Sequence, residues 1–285
     1  MLKTLVKYLK RSLVLVLGIL AVYIAFWQIY PFVHGHRIDE RFRLPAAIAL
    51  LVTYLVMAYL VIPAAIHLFR FFVRPKHLPL YCVTPDGFAS DPINIGLVGT
   101  KTQVTKAMLA AGWFLADKLT FKSAVKEVAY VLLRRPYPNA PFSTLFLFGR
   151  GQDLGFELPV PGKVSYRHHV RFWSCNLESP EQFQVQLSFW QRLHVPRTNY
   201  SRRQLWVGSA SKDIGIGLIG HNAQVTHRVH PDTDSERELI VSDLKDADMT
   251  ISQRTIKVSS PYGLRNRTIV TIIKSDGQFT ICELK

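Results

Sequence analysis

Cysteine is scarce in this chain: Cys82, Cys175 and Cys282 are the only three among 285 residues, and they stand far apart. An odd number with no C-x-x-C pair argues against a disulfide framework and fits a reducing compartment. Familiar catalytic signatures are missing too. The pattern G-x-x-x-x-G-K-[ST] does not occur, so the run G-T-K-T at 99–102 reads as a plain strand-turn-helix start, and no H-E-x-x-H marks a zinc site. Acids are few, 20 against 35 Lys and Arg, leaving a net charge of +15. More than half of that excess, +8, falls in residues 1–76, where ten Lys and Arg face only Asp39 and Glu40. This placement weakens a nucleic-acid reading of the charge, and no nucleic-acid partner is expected.

Charge is absent altogether from two apolar runs. Residues 12–33, at about 1.5 Å per residue, are long enough for the ~30 Å hydrocarbon core. Residues 44–69 form a second such run. The first is too long for a signal-peptide core, and no A-x-A-like cleavage site follows it. Lys3, Lys7, Lys10 and Arg11 precede the first run, and Arg70, Arg74 and Lys76 follow the second. Basic flanks stay in the cytoplasm. The expectation is a two-helix anchor over 1–76, with spans at about 12–33 and 44–69, in the inner (cytoplasmic) membrane with both termini cytoplasmic. A separate domain would occupy 77–285.

Within 77–285 the patterning predicts a strand at 93–98 and a helix from Thr100, where Thr100 and Gln103 have capping-box spacing. Val104, Met108 and Ala111 continue that helix at helical intervals, and Gly112 stops it. A second helix runs through Val125, Val128 and Leu132. The apolar runs 144–148 and 154–158 suggest a hairpin, and 164–173 a further strand. The stretch 174–203 reads as a long polar excursion. Segments 204–210 and 214–219 look extended. Gly215, Gly217 and Gly220 spell G-x-G-x-x-G, but the alternating run 223–229 that follows is a strand, where a dinucleotide fingerprint requires a helix. After Pro231 a helix begins, with Thr233 and Glu236 as a second capping-box pair. Strands near 250–258, 268–273 and 279–284 close the chain, with Asp276-Gly277 as a hairpin turn between the last two. The class is α+β, a mainly antiparallel sheet with a few packed helices, preceded by two transmembrane helices.

Ionisable side chains crowd most densely into 226–238, T-H-R-V-H-P-D-T-D-S-E-R-E. Such density is costly unless partners, water or a ligand satisfy it. His227 shares a strand face with Val225 and Val229 and points inward; of the adjacent pair His168 and His169, only one can join a single site. Candidate proton-transferring or orienting residues are His169, His227, Asp232 and Asp234, and candidate anion-holding residues are Arg150, Arg171 and Arg237, with Asp213 as a further strand-end carboxylate. The acids at 232, 234 and 236 have a competing explanation, since carboxylates in a first helical turn complement the helix dipole. No spacing specifies a metal, and neither metal nor cofactor is identified.

Several ordered motifs resemble the LssY C-terminal domain family. They are D-P-I-N-I-G-L-V-G at 91–99, A-A-G-W at 110–113, F-G-R-G-Q-D-L at 148–154, H-H-V-R-F-W at 168–173, L-W-V-G-S-A-S-K-D at 205–213 and T-H-R-V-H-P-D-T-D-S-E-R at 226–237. The resemblance implies a bacterial domain found alone or joined to membrane segments, and it supplies no biochemical activity. His230 stands where the family pattern has Asp. Two functional classes remain. One is an accessory or binding module for anionic lipid headgroups or a membrane-protein partner. The other is a membrane-associated hydrolase acting on a phosphorylated or acidic substrate through a His/Asp/Arg site.

Overall fold

The computed structural model describes residues 51–62 and 79–285, apart from 86, 134–136, 149, 164–165, 176–199, 219–224 and 266–271, together with Val16, Gly18, Tyr23, Trp27, Ile48 and Ala65. The chain divides into two compact units. One holds Met1–Arg74 with Pro85–Gly87 and Ser188–His194. In it, residues 51–62 are helical, with a π-helical turn at Met57–Val61. The expected spans at 12–33 and 44–69 lie largely outside the described residues, and among the described residues no helix is long and apolar enough to cross a membrane.

The other unit is the α+β domain, and its central element is a strand longer than the sequence suggests. Segments 204–210 and 214–218 are one continuous strand, β9 (Gln204–Leu218), and residue 219 of the second segment lies outside the described residues. Along one edge β9 pairs antiparallel with β8 (Tyr166–Ser174). Along the other it pairs first with β3 (Ile95–Gly99) and then with β10 (Val225–Val229). Between β3 and β10 no strand among the described residues covers the edge, and the side chain of Asn94 takes its place. It accepts from the Ala210 N–H at 2.9 Å and donates to the Ala210 carbonyl at 3.1 Å, satisfying buried backbone as a neighbouring strand would. The full sheet runs β11 (Thr250–Lys257), β14 (Gln278–Leu284), β3, β9, β8, β7 (Leu154–Pro159) and β4 (Phe114–Leu115). Only β14 against β3 is parallel, so the sheet is mainly antiparallel, as the patterning predicts.

Strand alternation sends the two faces of this sheet to different surroundings. Phe156, Val170, Phe172, Trp206 and Ala210 form one core with Val104 and Met108 of α1 (Lys101–Ala110) and with Ile240 and Leu244 of α3 (Asp234–Asp246). The opposite face carries Trp173, Leu205, Val207, Phe279 and Ile281, packed with Cys82, Ile93, Leu145 and Leu147. Those last four belong to or adjoin a small second sheet of β2 (Ala89–Pro92), β1 (Tyr81–Val83), β5 (Phe146–Leu147) and β6 (Arg150–Gly151). Cysteines 82, 175 and 282 are all free.

Local signals translate unevenly. The Thr100–Gln103 capping box forms as expected, and Gly112 turns the chain at φ +85°, where a side chain would be strained. Thr233 and Glu236 do not form one, because both side chains are held elsewhere: Thr233 donates to the Lys274 carbonyl and Glu236 meets His168. The expected hairpin across 144–158 is shorter, β5 with β6 alone, while β7 leaves to join the large sheet. Asp276-Gly277 is likewise a turn between sheets, since β13 (Ile272–Ser275) pairs with β12 (Tyr262–Arg265) and β14 with β11. α2 (Phe121–Leu132) forms where predicted. The excursion at 174–203 lies mostly outside the described residues.

Candidate functional site

Where the second face of the large sheet passes beyond its apolar packing, polar residues replace apolar ones at every second position. On β8 these are Arg171, His169 and Arg167, and on β9 Ser209, Ser211 and Asp213 directly opposite them. On β7, Glu157 stands opposite His169. Asp91 of β2 approaches from the small sheet. All eight are buried. Such a layer is tolerated only if its members satisfy one another.

The network has two halves joined at His169. Asp91 Oδ2 accepts from Arg171 Nη1 and from the Ser211 hydroxyl, each at 3.0 Å. Asp213 Oδ2 accepts from Arg167 Nε at 3.0 Å, and Arg167 reaches Glu157 at 3.2 Å. His169 lies between, with Nε2 at 2.8 Å from the Ser211 hydroxyl and Nδ1 at 3.7 Å from Asp213 Oδ2. Its ring packs on Phe142, centroids 5.6 Å apart, and the Arg171 guanidinium stacks on the same phenyl ring at 4.4 Å. Gly155 makes this cover possible, because a Cβ there would stand 2.3 Å from the Phe142 ring.

His227 reaches the same carboxylate from β10. The pairing of β10 with β9 shifts register between His227 and Val229, and Gly215, at φ +109°, lies in the irregular stretch. His227 Nδ1 stands 3.5 Å from Asp213 Oδ2, while the side chain as a whole is 34% exposed. Asp213 therefore lies between two imidazoles and one guanidinium. Burial alone would push its carboxyl up, but the charges of His169, His227 and Arg167 outweigh it and hold Asp213 well below the usual carboxylate range. Burial also dominates at His227 and, against the attraction of Asp213, holds the imidazole below its ordinary value. Asp91 is lowered as well, since His169, Arg171 and Ser211 outweigh its burial. His169 Nδ1, Arg171 Nε and His227 Nδ1 are buried nitrogens without a hydrogen-bond partner, all within this one layer. Buried polar atoms of this kind call for a partner, and ordered water or a ligand can supply it.

Of the residues singled out from sequence, this layer brings together His169, His227, Arg171 and Asp213. The others stand in separate networks. Arg150 binds Asp153 at 2.5 Å and the Ser174 carbonyl. Asp232 caps α3, accepting from the Asp234 and Ser235 N–H groups at 3.0 and 3.1 Å. Arg237 forks onto Asp276 at 3.0 and 2.9 Å, and Asp234 accepts the Asp276 N–H, so these two tie α3 to the turn before β14. His168, on the opposite face of β8, binds Glu236 at 2.6 Å. Asp91, Glu157, Arg167 and Ser211 were not singled out. For Arg167 and Ser211 the signal is the alternation R-x-H-x-R at 167–171 and S-x-S-x-D at 209–213, polar side chains at strand period where apolar ones would face a core; Asp91 and Glu157 lie outside both runs and carry no such signal. No cluster of three or more His, Cys, Asp or Glu side chains able to hold a metal occurs among the described residues.

Fold and layer together define an α+β domain with a charged cluster buried beneath one sheet face. The family model described as LssY C-terminus matches residues 75–279, and the chain belongs to that family. No curated protein and no solved structure matches the chain.

Proposed function

We propose that this protein is a membrane-anchored hydrolase whose proton-transferring group is His227, oriented by Asp213. The observation that supports this reading is the pairing of a buried, ionised carboxylate with an imidazole that is buried at Nδ1 and one-third exposed overall. The Asp213 carboxylate stands 3.5 Å from Nδ1 without hydrogen-bond geometry, so its charge alone favours hydrogen on Nδ1 and leaves Nε2 as the basic atom; burial holds the imidazole below its ordinary value, which favours the unprotonated form near neutrality. Arg167 and His169 position Asp213. The Ser211 hydroxyl, between Asp91 and His169, is a second polar group for the same site.

Arg150, Arg171 and Arg237 each already face a carboxylate. An anionic substrate held by any of them would have to compete with that partner. Uncharged ester or amide groups fit the layer better than free phosphate, because three carboxylates stand against two guanidiniums. The anchor would be the two apolar runs at 12–33 and 44–69 in the inner membrane, with the domain and both termini cytoplasmic, supported by the basic flanks.

A second reading, a binding or accessory module for anionic headgroups or a membrane partner, is favoured by one observation: Phe142 covers His169 and Arg171. Hydrolysis of a panel of phospholipid and ester substrates, with the full chain and with His227→Gln and Asp213→Asn, separates the two. The hydrolase predicts turnover whose acid limb reports His227 and which both variants lose. Folded protein with no turnover on any substrate leaves the binding module.

A further inference from the structure

One stretch outside the polar layer carries apolar side chains to the surface beside three lysines, Lys118, Lys122 and Lys126, against two acids, Asp117 and Glu127. Of the eleven large apolar side chains exposed on this unit's described residues, five fall between Phe114 and Leu133: Phe114, Leu115, Leu119, Val125 and Leu133. Leu119 and Val125 are each 52% exposed and Leu133 64%. Isolated exposed leucines need no explanation, but a run confined to one segment does. The segment is held in place. Ala116 N–H donates to the Gly155 carbonyl, Asn139 Nδ2 to the Leu115 carbonyl at 2.7 Å, and Tyr137 hydroxyl to Asp117. Thr120 and Ser123 cap α2 reciprocally, at 2.9 and 3.1 Å. Its exposure is therefore imposed by the fold.

Along α2 the exposed residues Val125, Ala129 and Leu133 recur every four positions and make one stripe. Lys122 and Lys126, also exposed, lie beside it at the same interval, and Lys118 precedes the helix. Lys126 is steadied over the Tyr137 ring at 4.1 Å. Apolar side chains interleaved with lysines on one exposed helical face are the composition of an element that lies in a bilayer interface. The apolar atoms sink among the acyl chains, and the ammonium groups reach up to the headgroups.

We infer that the segment 114–133 is a lipid-docking surface that seats this domain on an anionic bilayer, with Leu119, Val125 and Leu133 inserted and Lys118, Lys122 and Lys126 at the headgroups. Charge complementarity selects this occupant: cytoplasm-facing leaflets are anionic, and each lysine near them adds attraction. The inference rests on the membrane-anchored reading of residues 1–76 and is independent of the hydrolase chemistry.

The test uses the full chain reconstituted in vesicles of phosphatidylcholine, with or without phosphatidylglycerol, both containing nitroxide-labelled lipid. A thiol-reactive fluorophore is placed at Leu119→Cys or, as control, at Ser252→Cys, which is exposed on the edge strand β11. The native thiols of Cys82 and Cys282 are buried, and Cys175, which is partly exposed, is replaced by Ser in all labelled variants, so the introduced cysteine labels selectively. Nitroxide quenching at 119 but not at 252, present with phosphatidylglycerol and weak without it, supports the surface. Replacing Lys118, Lys122 and Lys126 by Gln should then lower the docked-to-undocked ratio about fivefold per lysine at low salt. Equal quenching at 119 and 252, or none at either, overturns it. So does protection of the label in lipid-free detergent that grows with protein concentration, which assigns the face to a second copy. Carbonate extraction reads the anchor separately: a chain stripped from vesicles refutes the spans, and quenching before extraction still decides the surface.

Discussion

Asp213→Asn removes one charge from the centre of the buried layer without changing its shape. Asp213 accepts from Arg167 Nε at 3.0 Å and faces His227 and His169 nitrogens at 3.5 and 3.7 Å. Breaking one partner out of a buried ion pair costs roughly 3–5 kcal/mol, because the remaining charge is left uncompensated. Here Arg167 keeps Glu157 at 3.2 Å, so the lower end, about 3 kcal/mol, is expected. For a domain of this size that is a fall of about 1 M in the urea midpoint. The assay is urea unfolding of the full chain in mild detergent, followed by the fluorescence of the buried Trp113, Trp173 and Trp206. A pH series adds a sign. The folded carboxyl titrates well below its unfolded value, so its contribution is complete above about pH 4 and is lost as pH falls towards the folded pKa. The difference between wild type and Asn should shrink on acidification. A midpoint within about 0.2 M of wild type at neutral pH, or a difference that does not shrink in acid, would refute an ionised Asp213 as the centre of the layer.

Gly155→Ala should destabilise by about 1–3 kcal/mol in the same assay, since the new methyl meets the Phe142 ring, and Phe142→Ala should restore part of the loss. Asp232→Ala should cost about 1 kcal/mol as a lost helix cap, and Asp232→Asn much less, with turnover and ligand response unchanged in both. Burial and the neighbouring Asp276 push Asp234 up to about 6, so its contribution to stability is present below about pH 4 and lost as pH rises through 6. Asp234→Asn should flatten the pH dependence between those values, and an unchanged slope would count against the shift. Reporters fused before Met1 and after Lys285 should both read as cytoplasmic; a periplasmic signal from either end overturns the proposed orientation.

Period-2 and period-3.6 patterning was enough to read most strands and helices of the domain, because each amphipathic element declares its buried face locally. The Thr100–Gln103 cap and the Gly112 stop were legible for the same reason: both act within one helical turn. Family membership was legible too, in motifs that fall on β3, β8, β9 and α3. The partners of the ionisable residues were not legible. Thr233 and Glu236 have capping-box spacing, yet each is taken by a residue remote in sequence, Lys274 and His168. Asp276-Gly277 has hairpin chemistry, but the flanking strands find their partners in different sheets. The densest polar stretch, 226–238, divides in the fold between a helix cap, a brace to the turn before β14, and the single residue His227 that reaches the buried layer. That layer is assembled from β2, β7, β8, β9 and β10, and residues as far apart as Asp91 and Ser211 meet at hydrogen-bond distance. Alternation along one strand says which side chains share a face. Which faces meet, and so which carboxylate holds which base, depends on long-range strand pairing that only the tertiary structure decides.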